Sequence, residues 1–208
     1  MKKQEWVSYW QNVENSFWEN KIQSYKGKFG YKKLLMAIPE IKSKSRILEV
    51  GAGKAWISRL LRAKGCHSTC LDSDPDVVML NSKMVDNYVI GDIFNLPFQN
   101  NSFDLVISCG LLEHFELNSL KNMVSEMGRV SNTVVAWLPT CDLNWQILWY
   151  VRNLLNKQIR FPYAYKHKIE NLEKLFTSLG FKEVKTDIIR FAWFFKYIYV
   201  HGNKSPEN

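Results

Sequence analysis

Three acids stand in order along the first half of the chain, each in or closing a short apolar run: Glu49 in "RILEV", Asp72 in "STCLD" and Asp92 in "YVIGD". A carboxylate only accepts, so each seeks N–H or O–H donors or a cation. A glycine turn, Gly51 and Gly53, directly follows the first of them. Glycines there let the backbone come close to a ligand at the start of a helix. The acid beside the turn narrows the ligand, because Glu49 would repel a pyrophosphate and favour a cationic group such as an ammonium. A dinucleotide fingerprint needs a third glycine where Trp56 stands, and the chain has no G-x-x-x-x-G-K-[ST] run. Asp72 follows the turn by roughly twenty residues, where an acid accepts both hydroxyls of an adenosine ribose. Asp92 can accept from an adenine exocyclic amine. Each acid alone serves equally well as a helix cap. As an ordered series they fit an adenosyl amino acid.

These residues require a scaffold that brings strand ends together. Apolar strand-like runs alternate with amphipathic helical ones, the signature of an α/β protein with a mostly parallel sheet. "RILEV", "STCLD", "YVIGD", "FDLVIS" and "TVVAWLP" read as buried strands. "AWISRLLRAKG" and "LNSLKNMVSEMGRV" read as helices, and "DPDVVMLNSKM" as another with Asp74 at its N-cap and Pro75 at the first helical position. Past Pro139 the rhythm breaks into a long aromatic segment over 140–167, followed by the helix "IENLEKLFTSLG" and the strand-like runs "FKEVKTDIIR" and "FAWFFKYIYV". One domain over 1–208 is expected: a helical cap (1–44), a ligand-binding core (45–139), the aromatic insert (140–167) and a C-terminal helix and strand pair (168–200).

The motifs "LEVGAG", "CLDSDP", "GDIFNLPF" and "NSFDLVISCGLLEHF" together resemble those of class I S-adenosylmethionine-dependent methyltransferases of the small soluble type, over about Ile47 to Val135. The resemblance implies a Rossmann-like α/β fold: a seven-stranded, mostly parallel sheet with a final antiparallel strand, which "FAWFFKYIYV" fits, and helices on both faces. It implies S-adenosyl-L-methionine as cofactor. The turn Gly51, Ala52 and Gly53, with Glu49, would hold its methionine end, Asp72 and Ser73 its ribose, and Asp92 with Ile93 its adenine. Cys109 and Gly110 would lie by the sulfonium. The family's next glycine in the turn is here Ala55.

Methyl transfer from a sulfonium neutralises charge, so alignment and exclusion of water carry most of the rate. His114 in "LLEHF" is the candidate base for an acceptor that must lose a proton, or else a packing residue that bonds locally. The expected acceptor is a small, flat or apolar molecule, methylated on O, N or C. Trp145 and Trp149 in the insert, with Tyr9 and Trp10 near the N-terminus, are the candidate acceptor walls.

A net charge of +8 raises the alternative of an RNA methyltransferase or RNA-binding module. The N/D-P-P-Y/F/W run of exocyclic-amine DNA methyltransferases is missing, because "SCGL" stands in its place. A catalytically silent partner subunit is a second alternative, opposed by the retention of all three acids. No apolar run approaches the roughly 20 residues that span a bilayer, and the N-terminus has no apolar core of a secretory signal. The expected location is cytoplasmic. No second pair of ligands accompanies "CHSTC", so no metal is expected and the four cysteines read as reduced thiols.

Overall fold

In the computed structural model, residues 30–38, 41–155, 164–192 and 195–205 are described. Tyr9 and Trp10 lie outside them, and so do the side chains of Trp145 and Trp149. Strands β1 (Arg46–Val50), β2 (His67–Asp72), β3 (Asn87–Ile90), β4 (Leu105–Cys109) and β5 (Thr133–Pro139) pair in parallel. The C-terminal pair adds β6 (Lys182–Ala192) and β7 (Phe195–Asn203), with β7 antiparallel to both β5 and β6. The sheet order is β3-β2-β1-β4-β5-β7-β6, so β7 is the one strand that runs against the rest. This is the expected Rossmann-like arrangement. Several ends shift by one or two residues, so that Asp92 lies just past β3, and one boundary differs more, because "FAWFFKYIYV" is not a single strand. Ala192 pairs with Phe195, so the hairpin turn falls inside that run. An uninterrupted aromatic stretch carries no glycine or proline to announce such a turn.

The α-helices among the described residues are α1 (Tyr31–Met36), α2 (Trp56–Arg62), α3 (Pro75–Asn81), α4 (Leu117–Val130), α5 (Leu143–Leu155) and α6 (Ile169–Ser178), and short 3-10 turns occur at Ser82–Met84 and Leu112–His114. Successive strand side chains point to opposite faces, and both faces here are covered. Leu48, Val50, Val106, Val134, Ala136 and Leu138 pack with α4 and α6 through Leu120, Met123, Val124, Met127, Leu172 and Phe176. Ile47, Leu105, Ile107, Val135 and Trp137 pack on the other face with Leu34, Leu35, Ile57 and Leu61 of α1 and α2. The alternation Ile47, Leu48, Glu49, Val50 therefore aims Glu49 at the α2 face.

The parallel register matters most for function. Val50 is level with Leu71 and with Ser108, and Asp72 is level with Ile90. The loops after β1, β2, β3 and β4 all leave the same edge. Between β2 and β4, which flank β1, the connections diverge to opposite sides, and a crevice opens at that switch point.

Candidate functional site

The crevice is a cavity of about 490 Å³ lined by one loop from each of these four strands. Gly51 comes from the first, Asp72, Ser73 and Asp74 from the second, Gly91, Asp92, Ile93 and Phe94 from the third, and Gly110, Leu111 and Phe115 from the fourth.

The glycine turn is shaped by its neighbours. Gly51 has φ +62, and a Cβ there would lie 2.6 Å from Leu111 Cδ2. Only a bare Cα fits between β1 and the fourth loop. Gly53 is held from two sides: its N–H donates to Asp72 Oδ2 at 3.0 Å, and Tyr88 Oη donates to its carbonyl at 2.7 Å. Ala55, where the resembling family has glycine, keeps the left-handed conformation with φ 53 and ψ 37. The backbone thus retains the glycine-type turn. A non-glycine residue there costs about 1–2 kcal/mol, partly offset by about 0.8 kcal/mol for burying the methyl group. That methyl packs with Ala52, Cys70 and Val85.

Asp72 and Asp74 form the acidic wall. Asp72 Oδ2 takes the Gly53 N–H and Oδ1 takes the Asp74 N–H at 3.2 Å, which leaves further lone pairs on both oxygens. Burial raises its carboxyl above the usual range, while the N–H bonds from Gly53 and Asp74 pull the other way. Asp74 caps α3 as expected, with Oδ1 accepting from Asp76 N at 2.9 Å. Its Oδ2 is buried and has no hydrogen-bond partner. A buried carboxylate oxygen needs a donor, from water or from a bound molecule. Asp92 is exposed, and its Oδ1 accepts from Phe94 N at 3.0 Å, which turns the third loop back over the cavity. Phe94 meets Phe115 edge to face, ring centres 5.7 Å apart, and the pair brackets the apolar end of the cavity with Ile90 and Ile93.

Of the residues singled out from the sequence, Gly51, Asp72, Ser73, Asp92, Ile93 and Gly110 line the cavity, and Ala52, Gly53, Glu49 and Cys109 do not. Ala52 and Gly53 form the body of the turn. Ala52 is tied to β2 through a 3.1 Å bond from its N–H to the Leu71 carbonyl. Glu49 departs from the reading that it faces the ligand. It is 4% exposed, and its Oε2 accepts from Ser58 N at 2.7 Å in the first turn of α2. Desolvation pushes its carboxyl up to about 7 against the opposing Ser58 hydrogen bonds. Glu49 thus ties the glycine turn to α2. His114 also lies outside the cavity lining, 3.7 Å from Glu113 Oε1, with Glu113 buried behind Gly110. Asp74, Phe94, Leu111 and Phe115 were not singled out. Phe94 and Phe115 sit inside the motifs "GDIFNLPF" and "LLEHF", but which aromatic turns toward the cavity depends on the loop path.

All four cysteines are free thiols, and no cluster of three or more potential metal ligands occurs among the described residues. No helix among the described residues is long and apolar enough to cross a membrane.

The family described as Methyltransferase domain matches residues 48–133, the span that contributes all four loops. A malonyl-[acyl-carrier protein] O-methyltransferase of Erwinia billingiae is 39% identical over 62 residues, 29% of this chain and 25% of that protein. A demethylmenaquinone methyltransferase of Staphylococcus haemolyticus is 32% identical over 114 residues, 50% of this chain and 48% of that one. The chain thus spans half or less of the length of these curated relatives. Among solved structures, magnesium protoporphyrin IX methyltransferase from Synechocystis PCC 6803, crystallised with bound SAH, superimposes with a TM-score of 0.71 at 16% identity. That match covers 96% of this chain and 94% of the other. The chain therefore has the fold of a class I S-adenosylmethionine-dependent methyltransferase and matches the methyltransferase-domain family between residues 48 and 133.

Proposed function

We propose that the chain transfers a methyl group from S-adenosyl-L-methionine to a small-molecule acceptor. The observation that carries this reading is the wall made by Asp72 and Asp74. Two carboxylates stand side by side there, with unused acceptor capacity on Asp72 and an unpartnered buried oxygen on Asp74, above a floor that only glycine can form. Adjacent hydroxyls of a ribose match such a wall. The apolar end, with Ile90, Ile93 and the Phe94–Phe115 pair, suits a flat ring.

When bound, S-adenosyl-L-methionine supplies a methyl group on a positively charged sulfur for in-line displacement. Asp72 and Asp74 would hold the ribose hydroxyls, and Asp92 would accept from the adenine amine. Gly51 leaves room for the methionine portion, while Glu49 keeps the turn in register with α2. Gly110, fixed by its N–H bond to the Trp137 carbonyl at 3.1 Å, borders the acceptor side. Leu111 and Phe115 limit the entry of water there, which strengthens electrostatic contacts inside the cavity. His114 is not among the residues that line the cavity, which favours a packing role over that of a base. The acceptor class is a small, lipophilic or flat molecule, in keeping with the quinone and tetrapyrrole named in two of the similar proteins.

Calorimetric titration with S-adenosylhomocysteine tests the assignment. Asp72→Ala removes a charge-assisted acceptor worth about 1.5–3 kcal/mol, so the dissociation constant should rise about 10- to 150-fold. Parent protein that shows no heat and no thermal shift at saturating ligand would refute the cofactor reading. A parent that binds and an Asp72→Ala variant that binds equally well would refute the ribose assignment alone.

A further inference from the structure

The fourth loop reaches the cavity through Leu111 and Phe115, beyond the last residue of β4. Its internal bonds are short-range: His114 N donates to the Leu111 carbonyl at 3.1 Å and Phe115 N to the Leu112 carbonyl at 3.2 Å. The stretch Ala164–Lys168 lies along this turn. Tyr165 N donates to the Glu113 carbonyl at 2.6 Å, and Tyr165 Oη donates to Glu116 Oε1 at 3.3 Å. His167 Nε2 stands 3.1 Å from the carbonyl of Phe115 itself.

That last contact fixes the state of the ring. A carbonyl only accepts, so Nε2 carries the proton. His167 is 9% exposed, and burial lowers its pKa below the ordinary 6.5 against the opposing pull of the Phe115 and Leu112 carbonyls. Near pH 7 the ring is therefore neutral, with its single N–H committed to Phe115. The donor is also firmly mounted. The next residue, Lys168, starts α6 by accepting from Asn171 N at 3.1 Å and Leu172 N at 3.2 Å, and Leu172 and Phe176 of that helix are buried in the core. The acceptor is the backbone of the residue whose ring meets Phe94 at the apolar end of the cavity. Holding the Phe115 carbonyl sets where that ring can lie.

We propose that His167 is a positioning residue for the cofactor: by tying the Phe115 carbonyl to the start of α6, it keeps Phe115 and Leu111 at the cavity before a ligand arrives. This inference rests on reading the cavity as the S-adenosyl-L-methionine site. Without the donor, the free protein spends part of its time with the fourth loop on another path, and the observed dissociation constant rises in proportion.

The test is calorimetric titration of the full chain with S-adenosylhomocysteine, comparing the parent with His167→Phe and His167→Gln. Phenylalanine keeps a flat ring and loses the donor, so binding should weaken about three- to tenfold. Glutamine restores an N–H donor and should bind within about twofold of the parent. Amide hydrogen exchange without ligand reads the loop directly: the His114 and Phe115 N–H groups should lose protection in His167→Phe, while those of α4 keep theirs. Parent-like affinity of His167→Phe, even with a lowered melting temperature, would overturn the proposal and leave His167 a packing residue. So would a His167→Gln variant as weak as His167→Phe, or unchanged exchange at His114 and Phe115. A parent that binds no S-adenosylhomocysteine would overturn the cofactor reading and this inference together, whereas a parent that binds no better than His167→Phe overturns this inference alone.

Discussion

Glu49→Gln probes the junction between the glycine turn and α2. The Glu49 carboxyl is raised from its ordinary 4.5 to about 7, chiefly because burial removes it from water. The folded chain therefore holds this proton more tightly than the unfolded chain does. The stabilisation is fully present below pH 4.5 and is lost as pH rises through about 7. The gap from 4.5 to about 7, at about 1.4 kcal/mol per pH unit, is about 3–4 kcal/mol in all, most of which falls between pH 5 and pH 8.5. Glutamine keeps an oxygen to accept from Ser58 N, which Glu49 Oε2 does at 2.7 Å, but cannot ionise. Its extra N–H₂ adds a cost that does not change with pH. Urea unfolding of parent and variant across this pH range, taken as the difference between them, cancels every other titrating group. The variant should gain about 2–3 kcal/mol on the parent from pH 5 to pH 8.5. A difference that stays flat with pH would show that Glu49 is not a desolvated carboxyl and would undo its placement against α2.

Two further expectations concern the fourth-loop side of the cavity. Gly51→Ala combines a positive φ of +62 with a Cβ only 2.6 Å from Leu111 Cδ2, so thermal unfolding should show a loss of about 1–2 kcal/mol, or about 3–8 °C. An unfolding temperature within a degree of the parent would mean that the turn adapts and that its glycine is not required. His114→Gln should lower methyl-transfer turnover by less than about tenfold with no dependence on pH, because His114 is not among the residues that line the cavity and a positioned base would contribute about 10²–10⁴. A large loss that shrinks as pH rises would instead assign it proton transfer to or from the acceptor.

The sequence by itself determined the elements and the order of acids and glycines at their ends. Runs such as Arg46–Val50, Leu117–Val130 and Thr133–Pro139 declare themselves through local periodicity, and they appear in the structure with those bounds. Asp72 and Gly51 were legible because a strand end and a glycine turn are local features whose consequences hold in any parallel sheet. Only the tertiary structure decided which groups share a cavity. Phe94 and Phe115 are distant in the chain, and they meet because the parallel register brings the third and fourth loops to one edge. Asp74 showed itself as a cap, and only the fold reveals that its second oxygen is buried without a hydrogen-bond partner. Glu49 looked like a ligand acid because it precedes the turn. Strand alternation aims it at α2, where Ser58 N donates to it, because a side chain's direction is fixed by the strand pleat and its partner by what the fold lays on that face.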